Sequence, residues 1–294
     1  MHPPRLLITG ASGYLGGRIL QLAPADWELH ATYHTHPLPA PYRSYRLDLT
    51  DGQAVAVLVE RLRPSTIIHT AAANPGSGLD MAAVNIYGTR HIARTAAARG
   101  ARLIHLSTDV IFAGDAAPYT EEARPNPITP YGRSKAAAEA ELWAAGAEAV
   151  SVRTSLIYGW RPTLDRQSRW IIHSLQNGEP LRLFTNEIRC PIWVDTLAEA
   201  VLELVTHTYT GALNIAGAQR LSRYDFGCRL ARFYGLDPVP IIAADSRANG
   251  YQRPEDCTLD CTRARTLLRT PLPGVDEILA IHGTDPCHPS RFGL

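Results

Sequence analysis

Short apolar runs alternate with longer amphipathic ones through the first half of the chain. Residues 6–8 (LLI) open the pattern, a run long enough for a buried strand and too short for a helix. The amphipathic stretch over 14–22 then predicts a helix. The same pair recurs, with strands expected at 28–33 (ELHATY), 44–47, 66–69 (TIIH), 102–106 (RLIHL) and 149–154 (AVSVRT). Helices are expected at 53–63, 81–99 and from Thr129 onward. Asp51 or Thr50 is placed to cap the second helix and Pro64 closes it. Gly100 ends the third. Thr129 caps the fourth, with Pro130 at its first helical position and an alanine run behind it. Such alternation argues an α/β fold with a parallel, doubly wound sheet and ligands at the carboxyl ends of its strands. Beyond about 160 the pattern loosens, with helices at 165–177, from about 196 and at 221–234, and short strands at 180–184 and 213–215.

Between the first run and the first helix stand Gly10, Gly13 and Gly16. A glycine turn from a strand into a helix N-terminus leaves backbone N–H groups facing one way, a cradle for a pyrophosphate reinforced by the helix dipole. Glycine is needed there because a Cβ would block the turn or the approach of the phosphates. Ser12, Tyr14 and Leu15 lie within the same turn. The expected organisation is therefore a Rossmann-type dinucleotide-binding domain over 1–160, with returns near 191–217, and a smaller, mixed C-terminal substrate lobe over 161–294.

The second strand ends in YHTHP, with His34 and His36 where NAD-preferring sites place a carboxylate for the ribose. Without that carboxylate a 2′-phosphate is not repelled, so NADP is the expected cofactor and NAD a possible one. His34 or Arg43 is available to pair with the phosphate. His34 and His36 lack a third ligand, so no metal is expected. Asp48 and Leu49, at the next strand's end, fall near the adenine. The small residues Ala71, Ala72 and Ala73 let the backbone lie against the cofactor, and Asn85 and Ser107 complete the candidate cofactor contacts.

At 45% hydrophobic and a net charge of +1, the chain can bury a full core and has no charge excess pointing to nucleic acid or membrane. No apolar run reaches transmembrane length and no signal peptide is evident. Cys190, Cys228, Cys257, Cys261 and Cys287 show no CxxC spacing. A cytoplasmic location is expected.

Chemistry is expected at the fifth strand's end, which delivers Ser107, Thr108 and Asp109, and on the helix that follows. Tyr131 and Lys135 are four apart and share a helical face. A phenol titrates near pH ~10, and a nearby ammonium together with an oxidised nicotinamide favours the phenolate. Tyr131 is thus suited to give a proton to a carbonyl oxygen as hydride reaches its carbon. Thr108, with Ser107 as the fallback, is suited to bond the same oxygen, and Lys135 to hold the nicotinamide ribose.

Together, TGASGYLGG and YGRSK resemble the TGxxGxxG turn and YxxxK of the extended short-chain dehydrogenase/reductases. STDVIFAG, Pro125–Asn126–Pro127, RTSLIYG, CPIWVDTLAEA and RPEDCTLDCTRARTLL are similar to the dTDP-4-dehydrorhamnose reductase branch over nearly the whole chain. The resemblance implies catalysis by Thr108, Tyr131 and Lys135, and reduction of a 4-keto nucleotide sugar by NADPH. It places Thr108, Asp109, Val110, Arg153, Thr154, Ser155, Arg189 and Arg253 on the substrate side, Arg253 being suited to a diphosphate. Two stretches depart from the branch, AAANPGSGLD after the fourth strand and TNEIRCPIWV where the reductases tend to have DQxGxPT. The alternatives are a nucleotide-sugar epimerase or dehydratase, which needs further acid/base groups such as Asp109 or Glu121–Glu122, and a non-catalytic NADP-binding subunit like that of methionine adenosyltransferase. The helices beginning near Met81 and Pro130 are candidates for a homodimer interface.

Overall fold

The computed structural model describes residues 3–283, so Cys287 lies outside the described residues. β1 (Arg5–Thr9) passes through the glycine turn into α1 (Tyr14–Leu22). β2 (Glu28–Tyr33), β3 (Arg43–Arg46), α2 (Gly52–Leu62) and β4 (Thr66–His69) follow. Asp51 is the cap of α2: its Oδ1 accepts from the Ala54 N–H at 2.9 Å. The single helix expected over 81–99 is in fact a π-helical stretch, Ala82–Gly88, continued by α3 (Thr89–Arg99). β5 (Arg102–Leu106) leads to α4 (Pro130–Ala144), which Thr129 caps by accepting from the Gly132 N–H at 3.0 Å.

β6 (Ala149–Thr154) closes the regular alternation. β7 (Ile157–Tyr158), α5 (Arg166–Gln176), β8 (Leu181–Phe184), β9 (Ile188–Arg189) and β10 (Ile192–Trp193) come next, then α6 (Val194–Glu203) and β11 (Gly211–Ile215). β12 (Leu221–Ser222), α7 (Arg223–Phe233), β13 (Ile241–Ala244), α8 (Thr262–Leu267) and α9 (Val275–His282) complete the described chain.

Seven strands form one sheet in the order 3-2-1-4-5-6-11, with every neighbouring pair parallel. The order reverses between β1 and β4, which opens a crevice at their carboxyl ends, where the glycine turn lies. α1 and α6 pack together over one face, around Ile8, Ile104, Val152, Leu197 and Val201. α2, α3 and α4 cover the other, around Leu7, Val59, Ile67, Ile92 and Leu103. The later part of the chain adds three two-stranded sheets, 7–10 and 8–13 parallel and 9–12 antiparallel. Its own core is aromatic: Tyr158 and Trp193 lie 5.6 Å apart and Tyr158 and Phe226 5.3 Å, ring centre to ring centre.

Candidate active site

At the switch point lies a cleft of about 410 Å³, within the usual range for ligand pockets. Gly10 takes a left-handed backbone (φ +71°), and a Cβ there would lie 2.6 Å from Ala71 Cα. A Cβ on Gly16 would lie 2.5 Å from Gly10 O and 2.7 Å from Thr70 Oγ1. The turn and the helix start therefore pack together only as glycine. No side chain caps α1, so its first-turn N–H groups are open to the cleft.

Ser12, Tyr14 and Leu15 line the same cleft, as do His34, Asp48, Leu49, Ala71, Ala72 and Ser107. Asp48 is turned onto Thr50, accepting from its N–H at 2.9 Å and its hydroxyl at 2.7 Å, and these bonds hold its carboxyl below the ordinary value. Arg43 is exposed and faces Glu28 at 3.6 Å instead of the cleft. Ala73 and Asn85 also fall outside the cleft lining. Asn85 accepts from Ala73 N–H at 2.7 Å and donates to Ala73 O at 3.0 Å and to Ser134 Oγ at 2.9 Å. Its amide is spent on bracing the wall from behind.

α4 brings Tyr131 and Lys135 to the floor of the cleft, where Thr108 and Ser107 arrive from the end of β5 and Thr154 and Ser155 from the end of β6. Ser107 Oγ and Thr154 Oγ1 are buried with no hydrogen-bond partner among the described residues. Two such hydroxyls in a cleft wall are what a polar ligand would satisfy. Together with the glycine cradle and the uncapped helix, they fit a dinucleotide.

Lys135 is buried, and its Nζ donates to Leu106 O at 2.7 Å and faces His105 Nε2 at 3.3 Å. Burial lowers its pKa to about 8, partly offset by Glu139. Tyr131 moves the opposite way from the expected phenolate: burial first, then the Asp109 carboxylate, push its phenol up to about 12. Desolvation disfavours the charged phenolate in this environment, and the phenol stays protonated. Thr108 Oγ1 donates to Asp109 Oδ1 at 3.2 Å.

The substrate-side candidates separate. Thr108, Thr154 and Ser155 line the cleft. Asp109 sits behind it, taking a 2.6 Å bond from Ser155 Oγ and facing Arg189 Nε at 3.8 Å; burial raises its pKa in spite of both. Arg189 is spent on Ile188 O, Glu255 O and Pro254 O at 2.6, 3.1 and 3.0 Å. Arg253 is half-exposed and 3.4 Å from Glu187. Half-buried Val110 does not line the cleft, and gives its N–H to Thr108 Oγ1 at 3.4 Å. Arg153 leaves the substrate side altogether: on β6, it is buried against Glu139 of α4 at 2.9 Å. Glu121 accepts from Asn214 N–H at 3.1 Å, and exposed Glu122 pairs with Arg263, so neither carboxylate reaches the cleft.

The RmlD substrate binding domain pattern matches residues 4–280, nearly the whole chain. The chain belongs to the RmlD substrate binding domain family. A dTDP-4-keto-6-deoxy-D-glucose reductase of Streptomyces niveus is 33% identical over 282 residues, covering 91% of this chain and 92% of the relative. The methionine adenosyltransferase 2 subunit beta of Mus musculus is 27% identical, over 94% and 87%. Among solved structures, a hypothetical dTDP-4-dehydrorhamnose reductase from Sulfolobus tokodaii shares 30% identity at a TM-score of 0.83, covering 94% of this chain and 98% of that one. A Bacillus anthracis dTDP-4-dehydrorhamnose reductase in complex with NADP shares the fold, at 24% identity and a TM-score of 0.81, covering 94% and 97%.

Two residues outside the cleft lining, each beside a group already described, escape a reading of the sequence. His105 looks like any strand residue in RLIHL, and only the sheet register puts it under Lys135. Arg223 opens α7 and is turned inward beside Arg189 and Arg253; burial first, then those two cations, lower its pKa to about 10 against the pull of Glu187. Its position after a Ser222 cap gave no such signal.

Proposed function

We propose that the chain is an NADP-dependent reductase of a carbonyl, namely the 4-keto group of a dTDP-linked deoxysugar. The observation that carries the reading is the convergence of Thr108, Tyr131 and Lys135 on a cleft that the glycine turn lines. Gly10, Gly13, Gly16 and the α1 N-terminus would hold the pyrophosphate, and the absence of a carboxylate at the end of β2 suits a 2′-phosphate. When bound, the reduced nicotinamide supplies a hydride to the carbonyl carbon. Tyr131, kept protonated by burial and Asp109, gives its proton to the carbonyl oxygen, so that ketone becomes alcohol. Thr108 turns its one O–H from Asp109 to the same oxygen and withdraws charge from it. The amine of Lys135, one turn further along α4 and lining the same cleft, binds the ribose and returns a proton to Tyr131. The relative from Streptomyces niveus supports the substrate class.

A second reading, a subunit that binds NADP without turnover, is favoured by the likeness to the mouse methionine adenosyltransferase subunit. Loss of NADPH absorbance with a dTDP-4-dehydro-6-deoxyhexose separates the two. The expected result is turnover by the native chain, with kcat about 10²- to 10⁴-fold lower in Tyr131→Phe and NADPH affinity unchanged. Binding of NADPH without turnover by the native chain would install the second reading. Undiminished turnover in Tyr131→Phe would remove the tyrosine mechanism.

A further inference from the structure

Lys135 is the only lysine among the 29 Lys and Arg residues of the chain. Everywhere else a Lys or Arg is placed, arginine serves; at this one buried site the chain keeps a compact amine that can titrate near neutrality, which guanidinium does not do. What lies beneath that amine is equally specific. Thr9, His69, His105 and Ser151 are direct partners in the parallel registers of β1, β4, β5 and β6, and form a polar row across the sheet, none more than 1% exposed. Groups on the overlying helices meet the row. His69 lies 2.6 Å from Thr9 Oγ1 and 3.1 Å from Thr89 Oγ1 of α3, and Ser151 Oγ donates to Glu139 of α4 at 3.0 Å. His105 answers Lys135.

We propose that His105 is a positioning residue for Lys135, its Nε2 accepting one N–H of the amine and fixing the other two. An ammonium has three donors. One goes to Leu106 O at 2.7 Å and one to His105 Nε2 at 3.3 Å, which leaves a single N–H for the cleft that Lys135 lines. The imidazole remains an acceptor because it stays neutral: burial, with Lys135 and His69 facing it, holds its pKa well below the ordinary value. Its proton is then assigned to Nδ1, a buried nitrogen with no hydrogen-bond partner among the described residues. A residue present only to fill space would not bring that unsatisfied group into the core. The titratable groups that act on the amine are His105 from β5, His69 from β4 and Glu139 from α4 itself, with Tyr131 one turn before it on the same helix.

The role assigned to Lys135 rests on the reductase reading, whereas the test does not require turnover. Grown with ¹⁵Nζ-labelled lysine, the chain gives one side-chain amine resonance, whose titration is followed without substrate. In His105→Leu the buried ammonium loses an acceptor, and its pKa is expected to drop by about one unit, a tenfold change in the protonation constant. In His105→Gln, whose amide oxygen can accept, at least half of that drop is expected to be regained. An unchanged Lys135 titration in folded His105→Leu overturns the proposal, whatever happens to its melting temperature. If His105→Leu does not fold, imidazole ¹⁵N shifts of the native chain decide: an Nδ1-protonated tautomer supports the proposal, and protonation at Nε2 overturns it. A native chain that shows the expected titration but never turns over dTDP-4-dehydro sugars would sink the reductase reading and leave the positioning intact.

Discussion

Single residues in this site are governed by burial more than by their charged neighbours. Tyr131 and Lys135 were legible as a pair from their spacing, and the helix presents both to the cleft, yet the phenol is pushed up to about 12 instead of down. Spacing alone could not show that: desolvation depends on how much protein closes over a group, and a linear pattern carries no such information. The same burial gives an acid-stability prediction. His69 is held neutral to about pH 3, first by burial and then by Lys135, whereas in the unfolded chain it protonates near pH 6.5. From pH 6.5 down to about 3 the unfolded state therefore binds more protons, and stability falls as pH falls. One such group contributes a slope of at most about 1.4 kcal/mol per pH unit. Urea midpoints between pH 4 and 7 should fall less steeply for His69→Gln than for the native chain; parallel slopes would refute the assignment.

At the scale of elements, the glycine turn, α1 and α4 were readable because each rests on local rules. Gly10 needs its left-handed φ, Gly16 a close approach, and α4 a threonine cap with proline behind it. Gly16→Ala forces a methyl group to within 2.5 Å of Gly10 O and 2.7 Å of Thr70 Oγ1. The expected outcome is at least a 100-fold weaker NADPH affinity with a melting temperature lowered by several degrees, roughly the effect of an overpacked contact costing about 1–3 kcal/mol. Titration calorimetry beside thermal melting checks it; native-like affinity would show that the turn is not the cofactor cradle. The π-helical stretch before α3 was not readable. Its wide turn coincides with Asn85, whose amide is taken up by Ala73 and Ser134, partners 12 and 49 residues away.

In the whole molecule, the boundary near 160 is a change of pattern more than a line of division. α6 covers one face of the main sheet and β11 extends its edge beside β6, so Ile192, Val194, Leu197, Val201, Leu213 and Ile215 share a core with Leu6, Ile8 and Ile104. Leu259, Ala264, Leu268 and Leu272 close the same core from later still. A fragment ending at residue 160 leaves that face of the sheet with α1 as its only helix. It should show helical far-ultraviolet circular dichroism, bind a hydrophobic dye and melt without a cooperative transition. A sharp two-state melt would mean that the first half folds alone.

The sequence by itself determined the alternating α/β order, the glycine turn with its place after the first strand, and the pairing of Tyr131 with Lys135. These follow from backbone conformation, side-chain period and helix capping, which act within a few residues of one another. Only the tertiary structure decided that Arg153 leaves the substrate side for Glu139, that Asp109 is held behind the cleft by Ser155, and that His105 lies under Lys135. Those outcomes depend on strand register and on which helix covers which strand, which make buried partners of residues 14 to 46 positions apart.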